Sequence, residues 1–119
     1  MREATRLVVG LEAITFIAAA LVHSGLLTDG YEHQKAAIAE SVIAVVLVLG
    51  FAFSWILPAR IPAIGMATQG FALLGTLVGV VAIAAGVGPR TVPDIVYHIG
   101  IVVVLMVGLG VAMQARSPI

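Results

Sequence analysis

Cysteine is absent from the chain, and charged residues are scarce. The 119 residues include no Cys and only 10% Asp, Glu, Lys and Arg, whereas a soluble domain has about 25% charged residues. The lack of cysteine excludes disulfides, thiolate metal sites and cysteine nucleophiles. A formal net charge of zero gives no reason to expect nucleic acid binding. So few charges leave too little polar surface for a water-soluble domain, and the expected partner is the lipid bilayer.

Apolar residues fill the sequence instead, at 61% of the chain. They form four runs, each close to the length of about 20 residues that a helix needs to cross a bilayer core. The predicted helices cover about residues 7–27, 34–57, 63–85 and 91–114. Their short connections predict antiparallel neighbours. The expected fold is all-α, a single domain over residues 1–119 with four transmembrane helices in an up-down-up-down antiparallel bundle.

Basic residues are distributed unequally between the two ends of this predicted bundle. One end, side A, carries both termini and the second loop, and the other end, side B, carries the first and third loops. Side A has Arg2, Arg6, Arg60 and Arg116, whereas side B has Lys35 and Arg90. Because basic loops tend to remain in the cytoplasm, the sequence predicts a multi-pass inner (cell) membrane protein with cytoplasmic N and C termini. Side B would then face the periplasm or the cell exterior.

Ionisable residues concentrate near side B, at the ends of three predicted helices. By helical rise, His23, Glu40 and His98 lie roughly 6–10 Å below the side B boundary. Asp94 precedes His98 by four residues, so both lie on one face of the fourth helix. An ionisable side chain that faces lipid costs several kcal/mol, so inward orientation is expected. The sequence therefore predicts one buried cluster of these four side chains.

Such a cluster supports three interpretations. Imidazole and carboxylate ligands suit a transition metal ion such as Zn, Fe, Mn or Cu, used for redox chemistry, sensing or metal handling. In this favoured interpretation His33 is a weaker candidate ligand, and Gln69 and Tyr97 are hydrogen-bonding partners of the ligands. Alternatively, His23 and His98 are the axial ligands of haem b. The third interpretation is a polar core or proton-linked site without a cofactor.

Glu12 lies about 16 Å from His23 along the first helix, too far to bind the same ion. It is a candidate proton site, and with Glu40 it would serve a small proton-coupled transporter. The alternative is a protonated Glu12 that is hydrogen-bonded to Gln69. Four short spans with a membrane-embedded glutamate in the first helix resemble small multidrug resistance transporters in size and in that one residue. The aromatic and glycine signature of that family is not present in the later helices, so no function is carried over.

Glycines at helical spacing indicate where helices pack closely. Gly75 and Gly79 form a GxxxG pair in the third predicted helix, and small residues let helix backbones approach each other in lipid. Packing inside the bundle is the favoured interpretation. The alternative is contact with a second copy or with a larger membrane complex, in which the chain would be an accessory subunit. The sequence identifies no catalytic residue and leaves open whether the protein is an enzyme.

Overall fold

Four α-helices make up most of the computed structural model, which describes residues 1–116. The helices are α1 (Arg2–His23), α2 (Gln34–Ile56), α3 (Ile61–Ala84) and α4 (Val92–Gln114). A short 3-10 turn precedes α3. Each of the four helices is long and apolar enough to cross a membrane. The prediction of an all-helical chain with four apolar helices is confirmed.

The first helix differs from its predicted range at both ends. It begins at Arg2 rather than near residue 7, and it ends at His23 rather than near residue 27. The chain turns at Gly25, whose φ of +81° is a left-handed conformation that glycine adopts without strain. The N–H of Leu26 then bonds back to the carbonyl of Leu21 at 3.1 Å. Hydropathy gives no sign of this end, because Leu26 is as apolar as the helix before it.

Side chains cap the first turns of α2 and α4. His33 Nδ1 accepts a hydrogen bond from the N–H of Ala36 at 3.2 Å. Thr91 and Asp94 form a reciprocal capping box, in which Thr91 Oγ1 accepts from the Asp94 N–H at 3.2 Å. Asp94 Oδ2 accepts from the Thr91 N–H at 3.2 Å and from its hydroxyl at 2.5 Å. These caps satisfy N–H groups that have no partner within a helix, and they position His33 and Asp94 relative to the helix axes.

Buried residues form alternating polar and apolar layers along the helices. Glu12 and Gln69, at most 1% exposed, belong to one polar layer. The four residues of the predicted cluster belong to another. Between these two layers every helix contributes apolar side chains, which are Ala13, Phe16, Ile43, Ala44, Leu47, Ala72, Ile101 and Leu105. This apolar layer separates the two polar groups along the bundle.

The GxxxG pair of α3 packs inside the chain. A Cβ added to Gly75 would lie 2.9 Å from Ile43 Cδ1, and one added to Gly79 would lie 3.3 Å from His98 Nε2. The two glycines therefore leave room for side chains of α2 and α4, as the internal packing of a bundle requires. Contact of this pair with a second copy or a membrane complex stays a prediction.

Candidate functional site

His23, the last residue of α1, is in contact with a carboxylate on each side of its ring. Its Nδ1 lies 2.6 Å from Glu40 Oε1, and its Nε2 lies 2.7 Å from Asp94 Oδ1. Glu40 lies near the start of α2 and Asp94 in the first turn of α4, so three helices meet at this imidazole. All three residues are buried. We call His23, Glu40 and Asp94 the triad.

His33 connects the two loops next to the triad. Its N–H donates to the carbonyl of His23 at 2.8 Å. Its ring caps α2 through Nδ1, so Nε2 carries the hydrogen and donates to the carbonyl of Val87, 3.2 Å away in the α3–α4 connection. Both ring nitrogens are thus used by the backbone. His33 is a structural residue of this end rather than a member of the triad.

His98 lies next to the triad, one helical turn after Asp94. Its Nδ1 lies 2.7 Å from the backbone carbonyl of Asp94, so Nδ1 carries a hydrogen and donates it. The ring stands edge-on to Tyr97, with 5.3 Å between ring centroids, and Tyr97 packs edge-on against Phe16. In a neutral His98 the remaining nitrogen, Nε2, is a hydrogen-bond acceptor.

The triad holds two hydrogen-bonded protons and one negative charge. Each contact of His23 with a carboxylate is short enough to need one hydrogen between nitrogen and oxygen. An imidazolium between two carboxylates meets this requirement. A neutral imidazole between one carboxylate and one carboxylic acid also meets it. The three groups together carry one negative charge in both cases, because the number of protons is the same.

A third proton has a single free position in the triad. Asp94 Oδ2 already accepts two hydrogen bonds from Thr91. Glu40 Oε2 is buried and has no hydrogen-bond partner within residues 1–116. In both proton distributions Oε2 is an acceptor, and a proton bound there would make the triad neutral. Glu40 Oε2 is therefore the free position at which the triad can bind a third proton.

A cavity of about 240 Å³ lies next to Glu40, between α2, α3 and α4. Most of its wall is apolar, and its lining includes Phe16, Glu40, Ile43, Thr76, Tyr97 and His98. Tyr97 Oη is a second buried atom that has no hydrogen-bond partner in the described part of the chain. Two residues with unsatisfied polar atoms thus line one cavity. Unsatisfied buried polar groups cost free energy unless water or a ligand pairs with them.

The predicted metal and haem sites find no support in this geometry. Residues 1–116 contain no group of three or more His, Cys, Asp or Glu side chains arranged to hold a metal ion. Both ring nitrogens of His23 contact carboxylates, so a metal ion or haem iron would first have to displace one of them. His98 offers only Nε2. Metal binding stays a prediction, and the observed contacts are those of a hydrogen-bonded network.

Gln69 lies with Glu12 rather than with the triad. Its Nε2 donates to the carbonyls of Gly65 at 3.1 Å and Gly108 at 3.2 Å. A Cβ added to Gly108 would overlap Gln69 Oε1 and would lie 3.0 Å from Glu12 Oε2, so both side chains reach the same point of α4. These three oxygens, both of Glu12 and Oε1 of Gln69, have no donor among the described residues. A proton on Glu12 would supply one, in line with the alternative of a protonated Glu12 that is hydrogen-bonded to Gln69, and a role of Glu12 as a proton site stays a prediction.

A buried arginine at the other end of the bundle was not expected from the sequence. Arg6 is 6% exposed, and its guanidinium donates to the Ser54 carbonyl at 2.8 Å and to Glu3 Oε1 at 2.7 Å. Its Cζ lies 3.8 Å from the centroid of the Trp55 ring, a cation–π contact. The spacing of three residues between Glu3 and Arg6 on one helix could have predicted their contact. The contact with Trp55 depends on the packing of α1 against α2.

The structure brings His23, Glu40 and Asp94 into direct contact, with His98 and Tyr97 beside them. It places His33 in a capping role, and it places Glu12 and Gln69 together beyond the apolar layer. These positions define the candidate site as the triad and its adjoining cavity. Comparison of the chain with known proteins finds no matching family model, no matching curated protein and no matching solved structure.

Proposed function

We propose that the chain is a multi-pass membrane protein whose helices cross the bilayer in up-down-up-down order. The length and apolarity of all four helices support this, as do large apolar side chains on the outer surface, such as Leu74 at 68% and Val78 at 70% exposed. Contacts at the two ends agree with it. The end of α1 meets the start of α2 through His23 and Glu40, and the start of α1 meets the end of α2 through Arg6 and Ser54.

We further propose that both termini are cytoplasmic and that the triad lies near the periplasmic or exterior side. This orientation rests on the excess of basic residues at the side of the termini. The buried Arg6 still counts toward that excess, because its charge is paired at the end of the bundle rather than at its centre. A C-terminal reporter fusion tests the orientation.

The activity that the site supports best is proton-linked binding of a small molecule. One observation carries this proposal: Glu40 Oε2, the free proton position of the triad, is unpaired in residues 1–116 and belongs to a residue that lines a cavity. Gain of a proton at Oε2 removes the negative charge of the triad. A polar or charged ligand in the cavity and a proton at Oε2 therefore influence each other's binding through the charge of the triad. Such linkage is what a small proton-coupled transporter requires.

Infrared spectroscopy of the purified protein in lipid nanodiscs tests the proton site. The carboxylic acid C=O band is followed while pH is varied. We expect the titration of one carboxyl group to be lost in Glu40→Gln and retained in Glu12→Gln, a matched change at another buried glutamate. An unaltered titration in Glu40→Gln would exclude Glu40 as the proton site. Circular dichroism shows whether each variant is folded.

Elemental analysis of the same preparation tests the competing metal interpretation. Proton-linked binding predicts no stoichiometric metal, even after incubation with Zn, Fe, Mn or Cu salts. Bound metal at one ion per chain that is lost in His23→Ala would favour a metal site instead. An absorption spectrum with a Soret band that disappears in His98→Ala would favour haem.

A further inference from the structure

One imidazole ring joins two segments at the side B end of the bundle. His33 Nδ1 accepts a hydrogen bond from the N–H of Ala36, 3.2 Å away in the first turn of α2. His33 Nε2 donates to the carbonyl of Val87, 3.2 Å away in the α3–α4 connection. The ring makes both hydrogen bonds at once, so it links the start of α2 to that connection. We call these two hydrogen bonds the His33 bridge.

The His33 bridge requires the neutral form of the ring. It joins an N–H group to a carbonyl, so one ring nitrogen must accept a hydrogen bond while the other donates one. A neutral imidazole has one acceptor and one donor, whereas a protonated imidazole has two donors and no acceptor. A protonated His33 can still donate to Val87, but it cannot accept from Ala36. A single proton therefore breaks the bridge at its α2 end.

The N–H of Ala36 depends on this hydrogen bond. It belongs to the first turn of α2, where N–H groups have no carbonyl partner within the helix. Hydrogen bonding along the helix begins one residue later, where the N–H of Ala37 donates to the carbonyl of His33 at 2.9 Å. Loss of the cap therefore exposes the Ala36 N–H to water. A positive ring at this position would also meet the positive end of the helix dipole, which disfavours it.

The His33 bridge is part of the wall of the cavity next to Glu40. His33 and Val87 both line that cavity, together with Gly88 and Pro89 of the same connection. Release of the bridge removes a link between the α2 side of the wall and the side formed by the α3–α4 connection. His33 is only partly buried, so protons from the solvent reach its ring.

Charged and titratable groups occur on each segment around His33. They are His23 at the end of α1, Glu32 in the α1–α2 connection, Lys35 and Glu40 on α2, and Arg90 in the α3–α4 connection. The ring of His23 stands edge-on to that of His33, with 6.5 Å between centroids, and carboxylates occupy both nitrogens of His23. Glu32 Oε1 accepts from two backbone N–H groups of its own connection. Within residues 1–116 no carboxylate forms an ion pair with His33, so none holds a protonated ring in the capping position.

We propose that the His33 bridge is a pH-sensitive latch, which fastens α2 to the α3–α4 connection at the side B end of the cavity and opens when His33 is protonated. Imidazole ordinarily changes its charge between about pH 5 and 8, and this is the range to test. In the proposed orientation side B faces the periplasm or the cell exterior, so the latch responds to the pH on that side. This inference does not rest on proton binding at Glu40.

Nitrogen NMR of the protein in nanodiscs tests the latch at a series of pH values. The ring nitrogens of His33 report which of them carries a hydrogen and when the ring gains a second one. Exchange of the Ala36 N–H with water is measured in the wild type and in His33→Asn, because asparagine caps a helix without titrating. The ratio of the two exchange rates at each pH removes the effect of pH on exchange itself.

We expect this ratio to rise about fivefold when His33 is protonated, the factor that loss of one helix cap implies. The N–H of Asp94 is the internal control, because it is capped by the hydroxyl of Thr91 at 3.2 Å rather than by an imidazole. Its exchange ratio between the wild type and His33→Asn should not change with pH.

A cysteine probe tests the effect of the latch on the cavity. The chain has no cysteine, so Ala82→Cys places a single thiol in the cavity lining. Ala59→Cys places one in the exposed turn before α3, at the opposite end of the bundle. The rate of reaction with a charged methanethiosulfonate is compared at each pH between backgrounds with His33 and with His33→Asn. We expect the ratio for Ala82→Cys to rise about fivefold on protonation of His33, and the ratio for Ala59→Cys to stay constant.

Three NMR results would each overturn the latch. They are a neutral His33 with its hydrogen on Nδ1, an Ala36 exchange ratio that stays constant while the ring titrates, and a ring that gains no proton between about pH 5 and 8. A constant ratio for Ala82→Cys would overturn the role of the bridge in closing the cavity. The infrared titration of Glu40 is a separate measurement, so failure of the proton site and failure of the latch are distinguishable.

Discussion

Gly108 is the position at which a single added methyl group should disturb the bundle most selectively. A Cβ at this position would overlap Gln69 Oε1, and it would lie 3.0 Å from both Gln69 Cδ and Glu12 Oε2. Gln69 cannot move aside freely, because its Nε2 donates to two backbone carbonyls, one of them that of Gly108 itself. Gly110, two residues further along α4, has open space where its Cβ would be. It is the matched control.

The size of the effect follows from these contacts. Displacing Gln69 breaks two hydrogen bonds, each of which contributes about 0.5–1.5 kcal/mol net to stability. Crowding a packed interior costs about 1–3 kcal/mol more. Replacing a helical glycine by alanine returns up to about 1 kcal/mol. We therefore expect Gly108→Ala to lower the free energy of unfolding by about 3 kcal/mol, and Gly110→Ala to raise it by up to about 1 kcal/mol.

Reversible unfolding by SDS, followed by circular dichroism of the protein in mixed micelles, measures both variants. Repeating Gly108→Ala in a Gln69→Ala background completes a double-mutant cycle. The shorter side chain removes the overlap, so the loss caused by Gly108→Ala should shrink by at least half. Two results would refute the reasoning: unfolding free energies of Gly108→Ala and Gly110→Ala that agree within about 1 kcal/mol, or an undiminished loss in the double variant.

Two further substitutions probe the ends of the bundle by the same unfolding measurement. His23→Ala leaves two buried carboxylates facing each other and should lower the free energy of unfolding by about 3–5 kcal/mol. His33→Ala removes a helix cap and should lower it by about 1 kcal/mol. Equal losses in the two variants would contradict the central position of His23. Arg6→Gln should change the fluorescence of Trp55, the single tryptophan of the chain, and should cost about 1–2 kcal/mol. Unchanged emission in Arg6→Gln, or an equal change in the control Arg2→Gln, would contradict the stacking of Arg6 on Trp55.

Helix number and the general position of the cluster could be predicted from the sequence, because a bilayer, the proposed surroundings of the chain, imposes strict conditions on helix length and on charged side chains. Long apolar runs fix the number of helices, and the cost of a lipid-facing charge turns ionisable residues inward. Short connections then bring the end of the first helix near the starts of the second and fourth. His23, Glu40 and Asp94 satisfy all three conditions, so their grouping follows from topology without knowledge of any contact.

Atomic partners were not accessible in the same way. His and carboxylate side chains at one depth are equally consistent with metal ligands and with a hydrogen-bonded network, and only the distances around His23 distinguish the two. Gln69 shows a related difficulty. Its spacing of seven from Thr76 predicts that both residues face inward, and both are buried. That spacing also separates them by about 10 Å along the axis, so Gln69 lies beside Glu12 rather than near the triad.

The apolar layer between Glu12 and the triad has an electrical consequence. Moving one elementary charge across a full membrane potential of 100 mV is worth about 2.3 kcal/mol. A proton that enters from the nearby surface and stops at Glu40 crosses only a fraction of that drop, so its binding should depend weakly on voltage. Within residues 1–116, Phe16, Leu47 and Leu105 are among the buried side chains that interrupt any polar path beyond it. In a bilayer the protein in this conformation would therefore not conduct protons or other ions. Net charge transfer across it would require the helices to move.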